Sequence, residues 1–200
     1  MVGAALAGPE WLPLTWTRED GPVEWIGFAS FLAASVLALV AAWQLRAVHR
    51  PAVAAAALAA VLFFAAGEEI SWGQRIFEVD TPEVLVDGNE QDELNLHNLV
   101  GLQHKAVAGQ LAIAAGGLVL ALLVPRRWAR VGAPFFAGYL MYRATRGAAV
   151  IADWGPAGRD SEAAEVMLGF GLLALTAALV ADVRRLPVQR EAARSFSGDP

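Results

Sequence analysis

The sequence predicts an all-α integral membrane protein, a bundle of five spanning helices that forms one membrane domain over residues 1–200. Apolar residues make up 56% of the chain and charged residues only 18%, and the mean hydropathy is +0.46. The apolar residues come in blocks of about 20, enough to cross roughly 30 Å of hydrocarbon as a helix. Because no water is present there to satisfy backbone groups, we expect these blocks to be helical.

The five predicted spans follow one another with short polar connections. The first covers 25–45 and is marked by Trp25 and Trp43, since tryptophan favours the membrane interface. The second is purely apolar for only about fifteen residues, which is too short to cross, so we extend it over 52–72 as far as Trp72. The remaining spans are predicted at 96–124, 131–152 and 163–183.

The connection between spans two and three is predicted to contain a short interfacial helix. Thr81 and Pro82 match an N-cap followed by proline at the first helical position. Asp87 and Gly88 would end this helix. Asn95 is a suitable N-cap for the third span.

Charge predicts the orientation of the bundle. Two connections and the segment after span five carry nine arginines against two acidic residues, whereas the segments at the other side carry seventeen acidic residues against three arginines. Arginine-rich connections stay in the cytoplasm, so the N-terminus is expected outside and the C-terminus inside.

Composition also excludes several functions. The chain has no cysteine, which excludes disulfides, cysteine-bound zinc, iron–sulfur clusters and thiol catalysis. The net charge of −5 comes with no basic groove, so we expect no nucleic-acid partner.

Ionisable residues within spans two and three are the first candidates for function, because charges in a membrane are costly and usually functional. Glu68 and Glu69 directly follow an apolar run. His97 and His104 share one face of the third span, where they alternate with small residues.

The fourth span adds arginines below the surface. Counted back from Asp153, Arg146 lies about 10 Å deep and Arg143 about 15 Å deep. Because arginine keeps its charge, both need acceptors, and the nearest by depth are Glu68 and Glu69. We therefore predict one buried, outward-facing pocket, with Tyr139 and Tyr142 at its rim, formed by Glu68, Glu69, Trp72, Arg75, His97, His104, Arg143, Arg146 and Asp153.

The leading interpretation is binding of, or action on, a phosphate-bearing head group of a membrane lipid by arginine forks. One glutamate would act as a base beside His97, so the catalytic candidates are Glu68, Glu69 and His97. The ligand-binding candidates are Arg75, Trp72, His104, Tyr139, Tyr142, Arg143, Arg146 and Asp153.

Three alternatives stay open. Glu69, His97 and His104 are the one trio suited to a divalent metal in a metal-dependent lipid hydrolase, although the two histidines stand about 10 Å apart along the helix. The residues could instead form a structural ion-pair network, since four acids balance four bases. The chain could also be a non-catalytic subunit of a larger membrane complex, or a homo-oligomer.

Three polar segments resemble the signature of an uncharacterised family of bacterial multi-pass membrane proteins: residues 68–75 (EEISWGQR), 81–83 (TPE) and 89–98 (NEQDELNLHN). The resemblance implies a multi-pass protein of the bacterial cytoplasmic (inner) membrane. It implies no catalytic roles, because that family has no established activity. The carboxylates and histidines are also similar to those of alkaline-ceramidase-like hydrolases, but the fifth span lacks the paired histidines of that group.

Overall fold

Five long helices make up the computed structural model, which describes residues 21–74, 76–82, 94–96, 103–123, 127–151 and 161–185. These ranges contain no strand, so the all-α prediction is confirmed for them. The helices are α1 (Pro22–Gln44), α2 (His49–Glu69), α3 (Gln103–Leu123), α4 (Arg127–Ile151) and α5 (Ser161–Val183).

Four of the helices, α1, α2, α3 and α5, are long and apolar enough to cross a membrane. Helix α4 matches them in length, with 25 residues or about 37 Å. It differs in carrying four arginines and an internal proline, Pro134. Each predicted span falls on one of these helices, with boundaries shifted by a few residues.

The main contacts between neighbouring helices run in the order α2, α1, α5, α4, α3. Between α1 and α2, the Ser35 hydroxyl donates a hydrogen bond of 2.7 Å to the carbonyl oxygen of Ala59. Between α1 and α5, Gly27 lies against Val166 and Ser30 against Gly169, so these two helices run parallel. Helix α5 therefore joins the α1–α2 pair to the rest of the bundle.

Phe136 of α4 packs α3, α4 and α5 together. Its ring is fully buried, and a Cβ atom added to Gly117 of α3 or to Gly171 of α5 would lie within 2.6 Å of it. Glycine at these two positions thus lets both helices approach the ring closely. Gly132 of α4 lies against Ala174 of α5 and Gly138 against Met167, so these two helices are antiparallel. Phe136 lies against Gly117 of α3 and Tyr139 forms a hydrogen bond with Gln110, so α3 is antiparallel to α4 as well.

These directions place two clusters of polar side chains toward one end of the bundle and a group of exposed arginines at the other. We call one end of the bundle the polar end. Helices α1, α3 and α5 begin there, and helices α2 and α4 end there. The opposite end, called the basic end, exposes five described arginine side chains: Arg46, Arg50, Arg130, Arg184 and Arg185. Between the ends, large apolar side chains face outward, among them Leu39, Val61, Leu120 and Met141.

Helix α2 ends at Glu69, three residues before the predicted end at Trp72. Ser71, Trp72 and Gly73 form a 3₁₀ turn with φ angles of 47°, 56° and 75°, which reverse the chain. This left-handed backbone is incompatible with a continuing α-helix.

The connection between α2 and α3 is described only in part. Thr81 and Pro82 are not helical, and the predicted interfacial helix otherwise falls on residues outside the described ranges. Residues 94–96 are also non-helical, and the described part of the third span begins at Gln103.

Candidate functional site

Two groups of polar side chains lie toward the polar end of the bundle. The Arg143 cluster consists of Gln110 on α3, Tyr139 and Arg143 on α4, and Glu165 on α5. The Glu68 cluster consists of the end of α2 and the chain that follows it: Glu68, Ser71, Trp72, Gln74, Thr81 and residues 94–96.

The Arg143 cluster is built on the face of α4 that also carries Phe136. Tyr139 follows Phe136 by three residues and Arg143 follows Tyr139 by four, so all three point into the groove between α3 and α5. Tyr139 is fully buried, and its ring lies 5.4 Å from the guanidinium carbon of Arg143. This contact is within cation–π range.

Hydrogen bonds fix the Arg143 guanidinium on two sides. Its Nε donates to the Tyr139 hydroxyl at 3.0 Å, and its Nη2 donates to Oε1 of Gln110 at 3.0 Å. Nη2 also lies 3.6 Å from Oε1 of Glu165, which forms an ion pair between α4 and α5. The charge of this arginine is thus offset within the bundle.

Gln110 links all the other members of the cluster. Its Oε1 accepts a 2.8 Å hydrogen bond from the Tyr139 hydroxyl as well as the bond from Arg143. Its Nε2 donates to Oε1 of Glu165 at 3.1 Å. The amide therefore holds the arginine and the glutamate side by side.

Two atoms of this cluster have no hydrogen-bond partner within the described ranges: Nη1 of Arg143 and Oε2 of Glu165. Neither is among the fully buried atoms that lack a partner, and each side chain is 18% exposed. The cluster therefore offers a ligand one charged donor and one charged acceptor.

The cluster lies slightly below the helix ends. At 1.5 Å per residue, Glu165 is about 6 Å from the start of α5, and Arg143 is about 12 Å from the end of α4. Gln110 lies about 10 Å from the start of α3. Because these helices are about 31–37 Å long, this depth would lie within the outer third of a bilayer with about 30 Å of hydrocarbon, a few Å below the head groups.

Glu68 has a different environment. It is only 8% exposed, and each of its oxygens accepts a hydrogen bond of 2.7 Å. Oε1 accepts from Nε1 of Trp72, and Oε2 accepts from the backbone N–H of Leu96. Glu68 thereby ties the chain that leads toward α3 to the end of α2.

The left-handed turn after α2 makes this arrangement possible. It folds the Trp72 ring back over Gly67, where an added Cβ would lie 2.8 Å from the ring. The same ring meets Phe64 edge to face at 5.3 Å. These contacts and the bond to Glu68 offset the strain of a positive φ at Trp72.

Two amides extend the Glu68 cluster along the connection. Asn95 is buried and its Nδ2 donates to the hydroxyl of Ser71 at 3.1 Å. Gln74 donates to the Thr81 hydroxyl and accepts from the backbone N–H of Leu94. The signature-like residues of the described connection are therefore mainly bonded to one another.

Glu69 points away from its neighbour Glu68. Its carboxylate lies against Gly27 of α1, and Val166 of α5 packs on the same glycine. Glu24 precedes Gly27 by three residues and lies on that face of α1. The two adjacent glutamates thus serve different parts of the bundle.

The structure brings together some of the predicted site residues and separates others. Tyr139, Tyr142 and Arg143 lie together, and the guanidinium carbon of Arg143 is 5.9 Å from the Tyr142 ring. Glu68 and Trp72 lie together in the other cluster. The ion-pair partner of Arg143 is Glu165, and not Glu68 or Glu69 as expected, because α4 packs against α5.

Sequence reasoning missed Glu165 and assigned no role to Gln110. The sequence does contain a signal for both residues. Glu165 is a carboxylate a few residues inside one apolar block, and Gln110 is a polar residue near the start of another.

Several predicted site residues lie outside the part of the chain that the structure describes. These are Arg75, His97 and Asp153, together with the side chains of His104 and Arg146. Glu69 is thus the one member of the predicted metal trio whose side chain is described. Among the described residues, no group of three or more acidic or histidine side chains could hold a metal ion.

A comparison with models of protein families, with curated proteins and with solved structures found no match to this chain.

Proposed function

We propose that the chain is an integral protein of the bacterial cytoplasmic (inner) membrane that binds a phosphate-bearing lipid head group at the Arg143 cluster. The four long apolar helices and the apolar side chains that face outward support a membrane setting. The arginines at the basic end support a cytoplasmic location for that end, by the positive-inside rule. The Arg143 cluster would then face the outer leaflet.

The observation that carries the proposal is the state of the Arg143 guanidinium. Tyr139, Gln110 and Glu165 hold it in place, and its Nη1 has no hydrogen-bond partner among the described residues. A preorganised guanidinium donates charge-assisted hydrogen bonds to phosphate oxygens and loses little freedom on binding. Such a group suits binding of a phosphate.

The position of the cluster supports a lipid as the source of that phosphate. Ile113 lies three residues after Gln110, on the same face of α3, and is 43% exposed. The cluster therefore has an exposed apolar side chain close to it, which acyl chains would cover. A lipid can reach Nη1 of Arg143 from the side while its chains remain in hydrocarbon.

We favour binding at the Arg143 cluster over catalysis at the Glu68 cluster, because both oxygens of Glu68 already accept hydrogen bonds from the chain. A general base needs an oxygen within reach of the substrate proton. In this proposal Glu68 shapes the connection and Arg143 contacts the ligand.

The test is the Arg143→Ala variant, purified in mild detergent beside the unchanged protein. A charge-assisted hydrogen bond is worth about 1.5–3 kcal/mol, so lipid affinity should fall about 10- to 150-fold. Native mass spectrometry with added short-chain phospholipid measures that change. Arg130→Ala, an exposed arginine at the basic end, is the control and should bind lipid normally. Equal lipid binding by Arg143→Ala and the unchanged protein would refute the proposal.

A further inference from the structure

We propose that the Arg143 cluster selects a zwitterionic head group, one that joins a phosphate to a primary ammonium, over a purely anionic one. The inference rests on the proposed function and names the class of lipid that the same site takes. It is carried by the two atoms of the cluster that have no hydrogen-bond partner among the described residues, Nη1 of Arg143 and Oε2 of Glu165, called the open atoms below.

The charges within the cluster disfavour an anionic ligand. Arg143 and Glu165 have opposite charges and lie 3.6 Å apart, while Tyr139 and Gln110 are neutral, so the four described side chains sum to zero. An anionic head group at Nη1 would be attracted by the guanidinium but would also be repelled by the Glu165 carboxylate. Such like-charge repulsion is a means of rejecting the wrong partner.

The open atoms match the two charges of a zwitterion. Gln110 holds the guanidinium and the carboxylate side by side through its own amide, so the open donor and the open acceptor belong to adjacent groups. A phosphate on Nη1 would place an ammonium two carbons away within reach of Glu165. The ammonium would donate to Oε2, and both open atoms would be satisfied by one head group.

The aromatic residues favour a primary ammonium over a trimethylated one. A quaternary ammonium is normally recognised by faces of aromatic rings. The rings of Tyr139 and Tyr142 already lie 5.4 Å and 5.9 Å from the guanidinium carbon of Arg143. A primary ammonium instead offers N–H donors, which is what the carboxylate of Glu165 can accept.

The experiment compares short-chain phosphatidylethanolamine, phosphatidylcholine and phosphatidylglycerol on the full chain in detergent, with dissociation constants from native mass spectrometry. We expect phosphatidylethanolamine to bind about tenfold more tightly than the other two lipids. In Glu165→Gln, which removes the charge but keeps an acceptor for Gln110, phosphatidylglycerol should bind at least as tightly as phosphatidylethanolamine. Asp182→Asn, on the same helix near the basic end, is the control and should keep the original preference.

The outcomes separate this inference from the proposed function. Equal binding of all three lipids, or a preference that Glu165→Gln leaves unchanged, would overturn the inference while Arg143-dependent binding persists. If Arg143→Ala binds all three lipids as tightly as the unchanged protein does, the proposed function itself is overturned. A last measurement uses phosphoethanolamine without acyl chains. Weaker binding than that of phosphatidylethanolamine supports a lipid ligand, and equal affinity overturns the proposal that the ligand is a lipid.

Discussion

Glu68 and Glu165 are two acidic side chains near one end of the same bundle, and their surroundings differ. Both oxygens of Glu68 accept hydrogen bonds from the chain, and the residue is 8% exposed. Glu165 is 18% exposed and only its Oε1 has partners among the described residues. The comparison shows that two carboxylates near the same end of the bundle differ in their partners: the chain satisfies both oxygens of Glu68, whereas one oxygen of Glu165 has no partner among the described residues.

The difference follows from where each residue lies along its helix. Glu68 lies at the end of α2, where the following chain brings unpaired backbone N–H groups such as that of Leu96 into reach. Glu165 lies one turn inside α5, where its own N–H and those that follow bond within the helix. Among the described residues, its hydrogen-bond and ion-pair partners are side chains of α3 and α4, and they contact one of its two oxygens.

Removal of the Glu68 carboxylate should have the largest effect on stability. In Glu68→Ala, the indole N–H of Trp72 and the backbone N–H of Leu96 lose their acceptor, at a cost of about 2–4 kcal/mol in unfolding free energy. Thermal unfolding in detergent, followed by tryptophan fluorescence, measures the loss. Asp80→Ala is the exposed acidic control.

The same variant also tests the separation between the two clusters. Protein that remains folded should bind lipid with unchanged affinity, because Arg143 has no described contact with Glu68. A loss of lipid affinity in folded Glu68→Ala would show that the two clusters act as one site.

Neighbouring glycines on α3 provide the next test. Gly117→Ala would force its methyl group against the buried Phe136 ring, and overpacking of this kind costs about 1–3 kcal/mol. Gly116→Ala is the matched control, since an added Cβ there meets nothing within 4 Å. It should leave stability unchanged or raise it by up to about 1 kcal/mol through helix propensity.

Lipid affinity distinguishes these two variants further. Phe136 lies one turn from Tyr139, so Gly117→Ala should also weaken lipid binding, whereas Gly116→Ala should not. Similar unfolding midpoints for the two variants would contradict the role assigned to Phe136 packing.

The smallest expected effect concerns the Tyr139 hydroxyl. It donates to Gln110 and accepts from Arg143, so Tyr139→Phe should lower stability by about 0.5–1.5 kcal/mol. Lipid affinity should fall several-fold, because the guanidinium loses one of the bonds that orient it. Isothermal titration with short-chain lipid measures this change. Thr145→Ala, an exposed hydroxyl on the same helix, should alter neither quantity measurably.

Much of the fold was accessible from local patterns. Blocks of apolar residues predict where helices occur, so each predicted span overlaps one of the five described helices, and four of these are apolar enough to cross a membrane. The end of α2 was placed too late because positive φ angles at Ser71 and Trp72 are not encoded in residue type. They depend on the contacts that the Trp72 ring makes with Gly67 and Phe64.

The candidate site was accessible only in part. Tyr139, Tyr142 and Arg143 share one helix, so their proximity follows from helical spacing alone. The ion-pair partner of Arg143 was wrongly expected on α2, because depth in the membrane was the only available guide. Several helices have carboxylates at similar depth, and depth does not say which helix is adjacent.

The sequence by itself determined the helices of this chain and the cluster of exposed arginines at its basic end, because hydropathy and charge act locally along the chain. The tertiary structure decided that Arg143 pairs with Glu165 and that Glu68 holds Leu96. The reason is that helix neighbours are selected by close packing, as where Phe136 fits against Gly117 and Gly171. That fit depends on side chains distant in sequence, and it becomes visible only when the helices are assembled.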